Sequence, residues 1–242
     1  MSHHRIEARA LSYAYPDRPG GNPAVTNVSF VLGHGESVGL LGANGAGKST
    51  LLRLLMGILM PDAGEVLIGD VRLTKKTIPR ARSRIGMVFP NPDDQLFMPT
   101  VYEYVAFGPR NAGLSEDEVD RRVKNALETM GIPHLADRAP YRCSGGEKRA
   151  AAVATALSME PDILILDEPT GELDPKARRR LIEQLKTFEH TKIVAGHDLE
   201  MVTELCGRVI LLRKGAVAAD GAAREILYNE RLMDEADLIA LK

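Results

Sequence analysis

The chain has little cysteine: two residues, Cys143 and Cys206, in 242. That is too few for a disulfide framework and suits a reducing compartment. It also lacks an excess of positive charge. With 31 Lys and Arg against 33 Asp and Glu, the net charge is −2, which argues against general nucleic-acid binding, because counterion-driven affinity needs a basic face. Even the run Arg178-Arg179-Arg180 reads as the solvated side of a helix whose inner face is Leu181, Ile182, Leu185 and Phe188. No apolar run approaches the ~20 residues needed to span a bilayer, and no signal peptide opens the sequence. Any membrane role is therefore expected to come through partner proteins. There is no internal repeat and no low-complexity tract. His3 and His4, adjacent in a charged N-terminal tail, read as inert. What is present is 44% apolar content, enough to bury a full core in one unit with a helical lobe inserted.

The most informative segment is Gly42-Ala43-Asn44-Gly45-Ala46-Gly47-Lys48-Ser49-Thr50. It lies between an apolar strand, Val38 to Leu41, and a helix whose apolar positions are Leu51, Leu54, Leu55, Ile58 and Leu59. The glycines at 42, 45 and 47 let successive N–H groups approach a polyphosphate, and the helix presents the positive end of its dipole. Lys48 would pair with β- and γ-phosphate oxygens and Ser49 would hold Mg²⁺. Residues 163 to 168, Ile-Leu-Ile-Leu-Asp-Glu, form a short apolar run between Pro161 and Pro169, as expected of a buried parallel strand ending in two acids. There Asp167 would reach Mg²⁺ through water, and Glu168 would orient and deprotonate the water attacking the γ-phosphate. Ser144-Gly145-Gly146-Glu147 precedes a helical stretch, Lys148 to Leu157, with Ala150, Val153, Ala154 and Leu157 on one face. Ser144 and Glu147 make a capping box, and the two glycines leave the N-terminal amides bare for an arriving anion.

These segments resemble the ATP-binding cassette ATPases, a P-loop NTPase family, over roughly Ile6 to Gly221. Cys143-Ser144-Gly145-Gly146-Glu147 resembles the signature Leu-Ser-Gly-Gly-Gln, which in that family contacts ATP held by the phosphate loop of a second subunit. Tyr15 resembles the aromatic that stacks on adenine, Leu173-Asp174-Pro175 the loop between the two sites, and His197 the switch histidine. Read alone, Tyr13 or Tyr15 could be core and His197 a helix cap or surface residue. The resemblance implies ATP and Mg²⁺ as the cofactors, Glu168, His197 and Lys48 as the catalytic set, and a dimer with a second copy or a close paralogue.

Residues 88 to 97, Val-Phe-Pro-Asn-Pro-Asp-Asp-Gln-Leu-Phe, with Val101 to Pro109, resemble the ATPases of energy-coupling-factor importers, particularly the cobalt and nickel branch. A short C-terminal acidic helix, expected over Asp234 to Leu241, fits that branch better than the vitamin importers. The resemblance then implies integral membrane coupling and substrate-binding subunits as partners, no nucleic acid, and a place at the cytoplasmic face of the membrane. The apolar residues Leu96, Phe97, Met98, Val101, Tyr104, Val105 and Phe107 have two readings, the core of the helical lobe or, for some, a groove for a helix of the membrane partner. One departure stands out. The family carries Gln after the position of Phe89, where it ligands Mg²⁺ and touches the attacking water; here that residue is Pro90, which can do neither. Gln95 lies five residues on. Alternative functions are a cassette protein acting on DNA or ribosomes, or the ATPase of an exporter.

The expected architecture is α/β: a RecA-like parallel core sheet, an antiparallel β subdomain and an inserted α-helical subdomain, in a single domain over residues 1–242. Ile6 to Tyr15 and Val28 to Leu32 would pair antiparallel across a loop from Pro16 to Pro23, with a further strand at Gly64 to Ile68. The parallel strands would be Val38 to Leu41, Ile85 to Phe89, Ile163 to Leu166 and Ile193 to Ala195. Helices fill 91–159, including one capped by Ser115 and Glu118 with Val119, Val123, Ala126, Leu127 and Met130 inward. Val209 to Leu212 and Ala216 to Ala219 would form a hairpin about Arg213-Lys214-Gly215. A helical tail would occupy 222–242.

Overall fold

The computed structural model describes residues 5–17, 22–94 and 97–241. His3, His4, Gln95 and Leu96 lie outside the described residues, as does part of the loop from Pro16 to Pro23. The chain forms two compact units, one from Met1–Arg82 with His190–Lys242 and the other from Ser83–Glu189.

The first unit opens with strands β1 (Ile6–Tyr13), β2 (Val25–Leu32) and β3 (Ser37–Leu41) and helix α1 (Lys48–Leu55). Strands β4 (Ala63–Ile68) and β5 (Val71–Arg72) and helix α2 (Ile78–Arg82) follow. The second unit holds β6 (Ile85–Val88), α3 (Val101–Asn111), α4 (Glu116–Thr129), α5 (Gly145–Leu157), β7 (Ile163–Asp167) and α6 (Pro175–Lys186). The chain then returns to the first unit with β8 (Thr191–Ala195), α7 (Leu199–Leu205), β9 (Arg208–Arg213), β10 (Ala216–Ala222), α8 (Ala223–Leu227) and α9 (Glu230–Glu235).

In the first unit β1 pairs antiparallel with both β2 and β4, and β5 adds to β4. Val25 is buried in β2, and beyond an irregularity at Asn27 (φ 49°) inward residues alternate as Val28, Phe30 and Leu32. In the same unit β3 runs parallel to β8 and to β9, and β9 turns back antiparallel into β10. That hairpin turns at Lys214 (φ 48°) and Gly215 (φ 82°), the two left-handed residues that a tight right-twisted turn requires. In the second unit β6 and β7 are parallel, and every residue of both is buried. Val119, Val123, Ala126, Leu127 and Met130 of the α4 segment are buried as the spacing predicts, with Ser115 capping the helix.

Several expected boundaries move, each for a local reason. β1 stops at Tyr13 rather than Tyr15 because Ala14 N–H turns to the Asp62 carboxylate, 2.8 Å away. The extended stretch ends at Val88 and not Phe89, whose carbonyl accepts from Arg149 at 2.8 Å. α1 stops at Leu55, so Ile58, expected among its apolar positions, lies beyond the helix and is 43% exposed. The cause is Gly57, left-handed at φ 64°: its N–H reaches Leu54 O at 3.0 Å and Ile58 N–H reaches Arg53 O at 2.9 Å. These are the paired bonds of a Schellman end. The tail departs most. The helix expected over Asp234 to Leu241 is not there, and α9 lies earlier, capped by Asn229 and closed by the same bond pair around Asp237, whose φ is 57°. Asp237 N–H bonds Asp234 O at 2.9 Å and Leu238 N–H bonds Met233 O at 2.8 Å.

Candidate ATP-binding and hydrolysis residues

In the first unit the segment read as a phosphate loop forms the turn from β3 into α1. Ala46 N–H bonds Ala43 O at 3.0 Å, and the β9–β10 turn braces the loop through Gly215 N–H to Ala46 O at 3.0 Å. Gly47 is left-handed (φ 104°), and a Cβ there would meet Ala24 O at 2.3 Å, so only glycine fits the last position before the helix. At Gly45, by contrast, a Cβ would find nothing within 4 Å. The loop is thus braced from behind and open in front, as an anion cradle must be. No side chain caps α1, which leaves its first amides directed at that opening. Lys48 is buried, and its ammonium donates to Gly42 O at 2.7 Å and Ala43 O at 3.2 Å, holding the cation at the rim. Ser49 is half-buried in the first turn.

Tyr15 is half-buried, and its hydroxyl lies 3.2 Å from Thr50 Oγ1, so the predicted adenine-stacking residue packs at the start of the phosphate-loop helix. Tyr13 is the core member of the pair, 9% exposed and edge-on to Tyr15 at 5.1 Å. His197 is exposed in the bend after β8.

In the second unit β7 ends on Asp167, which is 3% exposed, and Glu168 follows half-buried. Glu168 has a left-handed backbone, φ 49°. A non-glycine residue in that region costs about 1–3 kcal/mol and persists where its surroundings impose it, a pattern concentrated at active sites.

Ser144 caps α5 with both halves of the capping box: Glu147 N–H donates to Ser144 Oγ at 3.3 Å, and Ser144 N–H donates to Glu147 Oε2 at 2.8 Å. The carboxylate therefore turns back on its own helix, and that backbone bond holds its pKa below the usual range. Asp174 caps α6, accepting from Lys176 N–H at 2.9 Å and Ala177 N–H at 3.0 Å. Ser144, Gly146, Glu147, Asp174, Lys176 and Arg180 line one cleft of about 240 Å³. The segments read as the signature and as the inter-site loop are thus brought to one place.

Mg²⁺ is a hard cation that accepts few protein oxygens and several waters. Among the described residues no group of three or more His, Cys, Asp or Glu forms a metal site. The hydroxyl of Ser49 and the carboxylate of Asp167 are each hard oxygen donors of the kind that this ion accepts.

Sequence reasoning missed Arg149. It is 3% exposed, and its guanidinium donates to Phe89 O at 2.8 Å and Pro90 O at 2.5 Å. Nothing in the basic pattern of α5 separates it from Lys148, which faces outward to Asp93 at 2.6 Å.

The family model described as ABC transporter matches residues 25–171. A putative ABC transporter ATP-binding protein of Geobacter sulfurreducens is 57% identical over 233 residues, 96% of this chain and 92% of the relative. An energy-coupling factor transporter ATP-binding protein of Methanothermobacter thermautotrophicus is 45% identical over 238 residues, 96% of this chain and 76% of the relative. The solved structure of cbiO1 from Clostridium perfringens, part of the ABC transporter complex cbiONQ, superposes with a TM-score of 0.84 at 37% identity, covering 96% of this chain and 94% of that one. A similar ATP-binding cassette, MJ0796, has been solved as a dimer in two structures, one of them with ADP and Pi bound. This chain belongs to the ABC transporter family: it is an α/β ATP-binding cassette, an ATPase coupled to transport that uses ATP with Mg²⁺.

Proposed function

We propose that the chain is the ATP-hydrolysing subunit of an energy-coupling-factor-type importer for cobalt or nickel ions. The observation that carries this reading is the likeness, over nearly the whole chain, to an energy-coupling factor subunit and to cbiO1, joined by the importer-like segment Pro92 to Pro109. Among the described residues no helix is long and apolar enough to cross a membrane. The subunit would work at the cytoplasmic face through integral membrane partners. Phe97 offers them a foothold: it is 66% exposed, with the rings of Tyr104 and Phe107 edge-on at 5.8 and 5.4 Å. Tyr104, Val101 and Val105 are buried in the lobe, whereas Phe97 and Phe107 are exposed and free to dock.

The proposed chemistry assigns one task to each residue. Tyr15 stacks on adenine, and the amides of 42–50 with Lys48 cradle the β- and γ-phosphates. Ser49 and Asp167 would hold Mg²⁺, which would supply neutralisation of phosphate charge. Glu168 takes the proton of a water as its oxygen attacks the γ-phosphorus, while the bond to the β–γ bridging oxygen breaks and ADP leaves. His197 contacts the γ-phosphate. One chain carries one phosphate loop and one signature, so Ser144, Gly145, Gly146 and Glu147 act on the nucleotide of a second copy or close paralogue, with Asp174 between the two sites. In cells carrying the whole system, uptake of radiolabelled Co²⁺ or Ni²⁺ should vanish with Lys48→Ala. Unchanged uptake, or uptake of a vitamin instead, overturns the substrate reading.

A further inference from the structure

Within the second unit, two consecutive cations of the signature helix grip the segment that follows β6. Arg149 donates to the carbonyls of Phe89 and Pro90, and Lys148 pairs with Asp93. This is the segment in which proline replaces the family's glutamine. Pro90 offers neither a side-chain amide nor a backbone N–H, so at that position the carbonyl is the group left to hold the segment, and Arg149 takes it.

Arg149 is a poor choice if it serves stability alone. It is buried, and among the described residues no carboxylate is bonded to it and its Nε has no hydrogen-bond partner. Burial pushes its pKa down, and the charges of Glu172 and Glu168 pull it back up. A buried cation held mainly by two loop carbonyls, with a donor left over, is the kind of local cost that persists where position matters. Glu168, the proposed base, is thus one of the charges that Arg149 feels.

We propose that Arg149, assisted by Lys148, is a positioning residue: it locks Phe89–Asp93 to the signature helix, so that the segment lacking the glutamine and the signature move as one piece during hydrolysis. The inference rests on the proposed assignment of Glu168 and the signature. A rigid tether of this kind acts on the catalytic step and leaves nucleotide capture by the phosphate loop alone.

The test uses the full chain with ATP and Mg²⁺. Arg149→Gln should lower kcat by about 10- to 100-fold, the cost of a small misplacement, while KM for ATP stays close to the parent. Arg149→Lys, which keeps the charge and can reach one carbonyl, should recover part of the rate. Amide hydrogen exchange at Asn91 and Asp93 should quicken in Arg149→Gln. Lys148→Met and Asp93→Asn should each slow turnover by a smaller factor, and the pair together no more than either alone. Parent-like kcat with unchanged exchange, or KM rising as kcat holds, overturns the proposal. If Arg149→Gln does not fold, the Lys148 and Asp93 variants decide: parent-like turnover and exchange in both overturns it. Glu168→Gln serves as the reference. If hydrolysis survives that substitution, the site assignment fails; if hydrolysis is lost there but unaffected by the clamp variants, only this inference fails.

Discussion

Glu147→Gln restores the family's signature residue and isolates what the carboxylate contributes. In the parent, Glu147 accepts from Ser144 N–H at 2.8 Å and lies 3.4 Å from Arg138. A hydrogen bond to a charged group is worth about 1.5–3 kcal/mol against about 0.5–1.5 for a neutral one. An anion in the first turn of a helix adds about 0.3–1 kcal/mol. The Gln side chain can still accept from Ser144, so only the charge is lost. Because the Glu147 side chain is 29% exposed and solvent screens part of the effect, we expect a loss of about 1 kcal/mol, or about 2–4 °C in melting temperature. Glu147→Ala, which removes the acceptor as well, should lose about twice that. The pH dependence carries a sign. The folded pKa lies below the unfolded value of 4.5, so the contribution is complete above 4.5 and is lost as pH falls through the folded pKa. The gap between parent and Gln variant should therefore be full at pH 7 and close in acid. The same substitution should strengthen ATP-driven dimer closure, because it removes a negative charge beside the arriving phosphate. Thermal unfolding over a pH series and light scattering with ATP measure the two effects. A Gln variant as stable as the parent at pH 7, or a gap that persists unchanged in acid, refutes the reasoning.

Two further outcomes are expected. Phe97→Asp should leave stability within about 0.5 kcal/mol, as for other exposed sites, and leave hydrolysis by the isolated chain intact while abolishing copurification with the membrane partner; retained copurification contradicts the docking role. Burial pushes the Cys206 thiol up to about 12, so iodoacetamide at pH 8 should modify it only after unfolding, and rapid modification of the folded chain, read by mass spectrometry, contradicts that burial.

Elements whose signals are local were legible in the sequence. The strand–loop–helix after Val38, the capping box at Ser144 and the hairpin about Arg213-Lys214-Gly215 each depend on a few adjacent residues, and all three form, although the helix ends at Leu55 and Arg213 belongs to β9. The helix tail was misplaced because Asp237, not glycine, takes the left-handed closing position, and Asn229 supplies the cap. Ile58 was counted among the apolar positions of α1, although Gly57 ends that helix first. Arg149 was invisible for a different reason. Its partners are main-chain carbonyls 59 and 60 residues away, and carbonyls carry no sequence signal. The same holds for Tyr15, whose bond to Thr50 spans 35 residues and was reached only through family resemblance.

The measurement that bears most directly on the account is the mass of the Glu168→Gln chain in ATP and Mg²⁺, by size-exclusion with light scattering. A base needed for the attacking water, in a site completed by a second copy, predicts nucleotide bound without turnover and a species of two 26.4 kDa chains. Lys48→Ala added to the same chain should return it to one. A Glu168→Gln chain that stays monomeric with ATP, or that hydrolyses it at the parent rate, would contradict the central claim.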